Sequence, residues 1–249
     1  MKKLLSAFCG GVFLVAGAAY AGERGAERTV AAAIADKTRL KEHVARDEGR
    51  KPLEVLSFAG VKAGNKVADL AAGAGYYTAL LSRIVGDAGK IYAVDPVRIF
   101  EAFPNARETF PGYLKEDPRG NVDYSVQKFD ALKFDAPLDL VVMGLYYHDT
   151  VWTRADRAAM NKAIFDALKP GGTYLVIDHL AVAGADEAVT RELHRMVPGV
   201  VKPEVLAAGF EFAGETDVLA NPDDPRDASV FDEALRGKTD RFVYLFRKP

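Results

Sequence analysis

Residues 66–75 read Lys66-Val67-Ala68-Asp69-Leu70-Ala71-Ala72-Gly73-Ala74-Gly75, and an apolar run of helical spacing, Tyr77–Val85, follows. A short apolar stretch, a turn of small residues and a helix make a strand–turn–helix unit. Residues 73 and 75 lack side chains, so a ligand can lie against the backbone there. The helix N-terminus behind them offers free N–H groups and the positive end of a dipole. Asp95 closes the next apolar stretch, 20 residues after Gly75. A carboxylate at that distance can accept both hydroxyl protons of a ribose. The unit reads as a nucleoside site at the edge of a parallel sheet; a bare tight turn is the plainer alternative.

Outward from this unit, strands and helices alternate. Lys66–Leu70, Lys90–Val94, Val122–Lys128, Leu138–Met143 and Thr173–Ile177 are expected strands. Gly86 and Gly89 turn the chain after the first helix, and a helix over Arg154–Leu168 is stopped by Pro170-Gly171-Gly172. Strands separated by helices imply parallel pairing. The tail differs: after a helix over Pro203–Ala208, two strands, Glu211–Val218 and Arg241–Phe246, have no crossover helix between them, so antiparallel pairing at the sheet edge is expected. The intervening stretch from Asn221 to Asp240 is long for such a connection, which points to a functional or mobile loop. The fold class is α/β: a Rossmann-like, seven-stranded, mostly parallel sheet with a reversed edge pair. Residues 22–249 form one domain, with a helical N-terminal extension over 22–51.

Composition sets limits. The chain has 249 residues, 49% hydrophobic and 27% charged, which suits a globular protein. Residues 1–21 read as a cleavable signal peptide: Lys2 and Lys3, an apolar run over Leu4–Ala18, then Ala19-Tyr20-Ala21. The expected location is periplasmic or secreted, with no stable membrane insertion after cleavage. Losing Lys2 and Lys3 and no acid moves the formal charge from -2 to -4, which gives no sign of a nucleic-acid partner. Cys9 is the only cysteine, so the mature chain has no disulfide and no thiolate.

The third glycine of a dinucleotide fingerprint is missing, because Thr78 stands in its place. Asp69, beside the glycine turn, suits the ammonium group of an amino acid instead. Asp130, at the end of the third expected strand, is placed for the exocyclic amine of adenine. With Leu168-Lys169-Pro170-Gly171-Gly172, these signals resemble class I S-adenosylmethionine (SAM)-dependent methyltransferases, in that family's order and over most of residues 52–180. Ala71 departs from it, since many members carry Gly there. Arg46-Asp47-x-x-Arg50-Lys51-Pro52, Tyr147-His148-Asp149, Asp178-His179, Leu193-His194-Arg195 and Asn221-Pro222-x-Asp224 resemble an uncharacterised bacterial family of exported predicted methyltransferases. The resemblance implies SAM as cofactor, held by Asp69, Gly73, Gly75, Asp95 and Asp130, and a small-molecule methyl acceptor.

Three histidines fall where chemistry can occur. His148 follows the fourth expected strand, His179 the fifth, and His194 the next segment. Ligands of open parallel sheets lie beyond the carboxyl ends of the strands, so His148 and His179 should face one crevice. A general base is the favoured reading, with His148 leading, Asp149 orienting it and His179 second. A metal site formed with an aspartate and a purely structural role remain open; the favoured reading assigns no metal ligand. His43, in the polar N-terminal helix, is expected to be exposed. Phe100, Phe103, Phe110 and Tyr113 either wall a substrate pocket or pack on the sheet. The runner-up functions are an exported, non-catalytic nucleoside- or metabolite-binding protein and a metal-dependent enzyme that uses the histidines.

Overall fold

The computed structural model describes residues 25–249; the expected signal peptide lies outside the described residues. A seven-stranded sheet runs in the order β3-β2-β1-β4-β5-β7-β6. Its strands are β1 Lys66–Leu70, β2 Lys90–Pro96, β3 Val122–Gln127, β4 Leu138–Gly144, β5 Leu168–His179, β6 Glu211–Glu215 and β7 Arg241–Arg247. The first five pair in parallel. β7 pairs antiparallel with both β5 and β6, so it alone runs against the sheet and β6 is the edge.

Alternation along the strands feeds two cores. Leu70, Val94, Met143, Val176 and Phe246 pack on one face; Val67, Ile91, Leu140, Leu175 and Val243 pack on the other. A sheet buried on both faces explains why these strands read as near-continuous apolar runs.

Some element boundaries move. Arg154 has φ 53°, which a helix interior does not admit, so the helix occupies Arg157–Ala167 and is capped by Asp156 accepting from Ala159 N–H at 2.9 Å. Pro170-Gly171-Gly172 does not precede β5 but lies within it, where Gly171 N–H donates to the Lys248 carbonyl at 2.9 Å. The segment expected as a helical extension is broken into pieces: residues 25–34, Lys41–Val44 and Asp47–Arg50. Its last piece is tied to the far end of the chain by Arg241, which donates to the Gly49 carbonyl at 2.6 Å. Among the described residues, no helix is long and apolar enough to cross a membrane.

Candidate functional site

The glycine turn leaves β1 and enters a helix over Tyr76–Val85. Ala71, Gly73 and Gly75 all sit at positive φ, 59°, 55° and 76°. Left-handed backbone costs a non-glycine residue ~1–2 kcal/mol, which gives a physical reason for glycine at position 71 in similar loops. The two glycines serve different ends. A side chain on Gly73 would meet only the Ala71 carbonyl, 3.8 Å away, so that face of the loop is open. A side chain on Gly75 would strike the Tyr113 ring, so its space is taken by the protein's own core rather than left for a ligand. Phe110 and Tyr113 are buried with Ala72, Ala79 and Ala93 in that core. Phe100 is buried too, while Phe103 is half exposed against Trp152.

Asp69 and Asp95 flank the turn, 2% and 4% exposed. Asp69 Oδ2 accepts from the Thr78 hydroxyl at 2.6 Å. Asp95 Oδ1 accepts from Gly73 N–H at 2.9 Å and its Oδ2 from the Tyr124 hydroxyl at 3.0 Å. Neither carboxylate has a cationic partner within salt-bridge distance among the described residues. Burial pushes the Asp69 carboxyl up to about 7, with the Asp95 charge adding to it. Burial likewise raises Asp95. Asp130 is exposed on a 3₁₀ turn over Phe129–Ala131, whose Phe129 is buried. It lines a cavity of about 190 Å³ with Pro96, Arg98, Phe129, Tyr146 and Thr150, from the ends of β2, β3 and β4.

The N-terminal segment covers this turn, which the sequence reading did not foresee. His43 is buried, not exposed, and donates Nε2–H to the Ala74 carbonyl at 2.8 Å. Asp47 accepts from the Tyr76 hydroxyl at 2.8 Å and pairs with Arg39 at 2.7 Å. The Arg50 guanidinium lies 4.4 Å from the Tyr76 ring and 5.4 Å from that of Tyr77. The one sequence signal for this lid was the Arg46-Asp47-x-x-Arg50 string, whose contacts are long-range.

At the ends of β4 and β5 the histidines gather. His148 opens a short helix over Tyr147–Trp152. Its Nδ1–H donates to Asp178 Oδ1 at 2.7 Å, and its backbone N–H to Asp178 Oδ2 at 2.7 Å. Asp178 also accepts His179 N–H at 2.8 Å and is fully buried. Asp178, not Asp149, therefore orients the ring: Asp149 is one residue along the helix, and its carboxylate instead reaches the opposite ring nitrogen, 3.3 Å from His148 Nε2. Burial alone would lower the His148 pKa, but the charge and hydrogen bond of Asp178 raise it above the ordinary imidazole value. His179 goes the other way. Burial, the neighbouring His148 and Arg241, Arg195 and Arg50 hold it well below that value, and its Nδ1 meets the Thr239 hydroxyl at 2.7 Å. The two rings lie 6.2 Å apart, side by side, as expected for neighbouring strand ends. His194 completes the group, its Nδ1 3.3 Å from His148 Nε2. Tyr146 links the two ends of the crevice: burial raises its phenol, and the charges of Asp149 and Asp95 raise it further.

Residues 67–172 match a family model described as a methyltransferase domain. The ubiquinone/menaquinone biosynthesis C-methyltransferase UbiE of Hydrogenovibrio crunogenus is 31% identical over 124 residues, covering 49% of this chain and 45% of the relative. UbiE of Pasteurella multocida is 33% identical over 124 residues, covering 49% and 43%. The chain thus spans less than half the length of these curated relatives. Among solved structures, a SAM-dependent methyltransferase from Aquifex aeolicus superposes with a TM-score of 0.57 at 18% identity, covering 82% of this chain and 98% of that one. The [4+2]-cyclase SpnF superposes at 0.59 with 16% identity, covering 81% and 80%. These likenesses concern the fold, and the cyclase among them shows that the fold alone does not set the reaction.

Proposed function

We propose that this chain belongs to the class I SAM-dependent methyltransferase superfamily and transfers a methyl group from SAM to a small molecule. The observation that carries the proposal is the pair of buried carboxylates, Asp69 and Asp95, beside an open glycine turn and without a cation. Buried acids with raised pKa in a crevice are candidates for a functional site. SAM brings what they lack: an ammonium group for Asp69 and ribose hydroxyls for Asp95. The adenine would occupy the cavity that Asp130 lines, and Arg50, stacked on Tyr76 and Tyr77 beside the turn, would meet the carboxylate of the methionine moiety. The sulfonium is already activated, so the protein's work is alignment of acceptor, methyl and sulfur. The acceptor belongs at the histidine end, where His148, Asp149 and His179 lie.

Calorimetry with S-adenosylhomocysteine tests this reading. Wild type should bind it, and Asp95→Ala should weaken binding by ~1.5–3 kcal/mol, the worth of hydrogen bonds to a charged group. Equal affinity in the two proteins, or none in wild type, would favour the metabolite-binding alternative.

We also propose export, and with it membership of the exported family that the sequence resembles. The support is the basic start, the apolar run and the Ala19-Tyr20-Ala21 site. Protein recovered from its native host should begin at Gly22; a pool retaining Met1 would contradict cleavage.

A further inference from the structure

As a general base, His148 would turn its Nε2 lone pair toward the proton of a methyl-accepting substrate. In the structure that lone pair faces two other electron-rich atoms. His148 Nε2 lies 3.3 Å from Asp149 Oδ1 and 3.3 Å from His194 Nδ1, and His194 Nδ1 lies 3.4 Å from Asp149 Oδ1. The His148 Nδ1–H is committed to Asp178, so the neutral ring turns Nε2 into this triangle as an acceptor. With His194 in the tautomer that leaves Nδ1 unprotonated, lone pairs at such spacing repel unless something positive sits among them. A tetrahedral ion with bonds of ~2.0–2.1 Å holds its ligand atoms ~3.3–3.4 Å apart, which is the spacing seen here.

We propose that His148 Nε2, Asp149 Oδ1 and His194 Nδ1 bind one divalent transition-metal ion, with a further coordination position open to an oxygen ligand. Two imidazoles and one carboxylate suit zinc, iron(II) or manganese and not magnesium or calcium, which favour all-oxygen sites. That the oxygen ligand is the methyl acceptor rests on the methyl-transfer proposal; the ion itself does not.

The surroundings are built to hold these three atoms still. Asp178, accepting from the His148 ring and from two backbone N–H groups, fixes tautomer and orientation, as carboxylates behind metal-bound histidines do. Asp149 Oδ1 accepts a further hydrogen bond from Trp152 Nε1–H at 2.7 Å. His194 sits at φ 54°, a strained conformation for a non-glycine residue that persists only where its neighbours enforce it. Those neighbours are identifiable. Arg195 is fully buried, paired with Asp224 at 2.8 and 3.0 Å and donating to the Leu180 and Ala228 carbonyls. The Phe231 ring meets the other side of His194, with centroids 4.8 Å apart. The His194 side chain is 21% exposed against 4% for His148, so an ion and its fourth ligand enter from the His194 side.

The test uses untagged full-length mature protein, stripped with chelator and titrated with zinc by calorimetry and with cobalt(II) by visible absorption. One equivalent of zinc per chain, and the intense d–d bands of a low-symmetry four- or five-coordinate cobalt site, are expected. His194→Gln, at a partly exposed position, should fold normally and lose the bands. Asp178→Asn should weaken zinc by ~10–100-fold, the usual effect of removing a carboxylate behind a ligand histidine. No retained zinc in wild type, or a His194→Gln protein that binds zinc and cobalt like wild type, overturns the proposal. S-adenosylhomocysteine is titrated into the same preparations: nucleoside binding without metal defeats the ion alone, and metal without nucleoside defeats the methyl donor alone.

Discussion

At the ends of β1 and β2, Asp69 and Asp95 are buried with hydroxyl and amide donors but no paired cation among the described residues. At the ends of β4 and β5, Asp178 is buried just as deeply, yet an imidazole faces it at 2.7 Å. The first pair is left incomplete and titrates toward neutrality; the second is complete and serves to aim another group. Two such ends equip one crevice for two different kinds of partner. A flexible cationic ligand is recognised by acids waiting without a counter-charge, while a small ion or reacting oxygen needs ligands held within fractions of an ångström. The first end is a charge deficit and the second is a scaffold.

That contrast can be broken or sharpened. Arg195→Ala should have the largest effect, about 3–5 kcal/mol of stability, because it strands the buried Asp224 carboxylate. Thermal unfolding reads that loss, and the folded variant should lose the His194 geometry while keeping S-adenosylhomocysteine affinity. Equal damage to nucleoside binding would mean the two ends are not separable. Next comes pH. With the free Asp69 carboxyl near 7, an ammonium-bearing ligand favours its ionised form, so S-adenosylhomocysteine should bind up to ~10-fold tighter at pH 8 than at pH 6. For the ligand-free fold the sign reverses. The raised carboxyl stabilises the fold fully below its unfolded value of ~3.9, and that contribution is lost as pH rises through about 7. Asp69→Asn should flatten both profiles; an unaltered slope would remove Asp69 from ammonium recognition. The smallest effect belongs to Ala71→Gly. Relief of ~1–2 kcal/mol of left-handed strain is offset by ~0.5–1 kcal/mol of glycine entropy, so the melting temperature should rise by only a few degrees. A fall would show that the Ala71 methyl contributes packing.

The same contrast explains what was legible. The glycine turn, Asp69 and Asp95 lie within thirty residues of one another, and local rules of strand, turn and helix connect them. β1 appears within its expected bounds for that reason. The histidine end draws on residues 148–149, 178, 194 and 224, which lie on separate stretches of the chain and are brought together by the pairing of β4 with β5 and by the Arg195–Asp224 ion pair. Sequence adjacency suggested Asp149 as the partner of His148, whereas the strand next door supplies Asp178. His43 differs from expectation for a related reason: its helix is polar in composition, but His43 docks on the glycine turn through a hydrogen bond to the Ala74 carbonyl and ring contacts with Tyr76 and Tyr113. The long stretch from 221 to 240 was flagged by length alone, and its use, holding Arg195 and Phe231 around His194, has no local signature.

The position of β7 has a consequence in time. It follows every other described strand in sequence, yet it is an interior strand of the sheet, paired on both sides. As the chain emerges from one end, residues up to Gly144 already contain β1 to β4 and can close the glycine-turn half around its own core. β5 must then wait with one edge bare until Arg241–Arg247 arrive, and β6 has nothing to join before that. Bare strand edges invite pairing with other chains, so this interval is when the protein is most exposed to misassembly. A growing chain can thus close its glycine-turn half early, while Asp224, the partner of Arg195 beside His194, accepts the Asp240 N–H only when the segment leading into β7 has arrived.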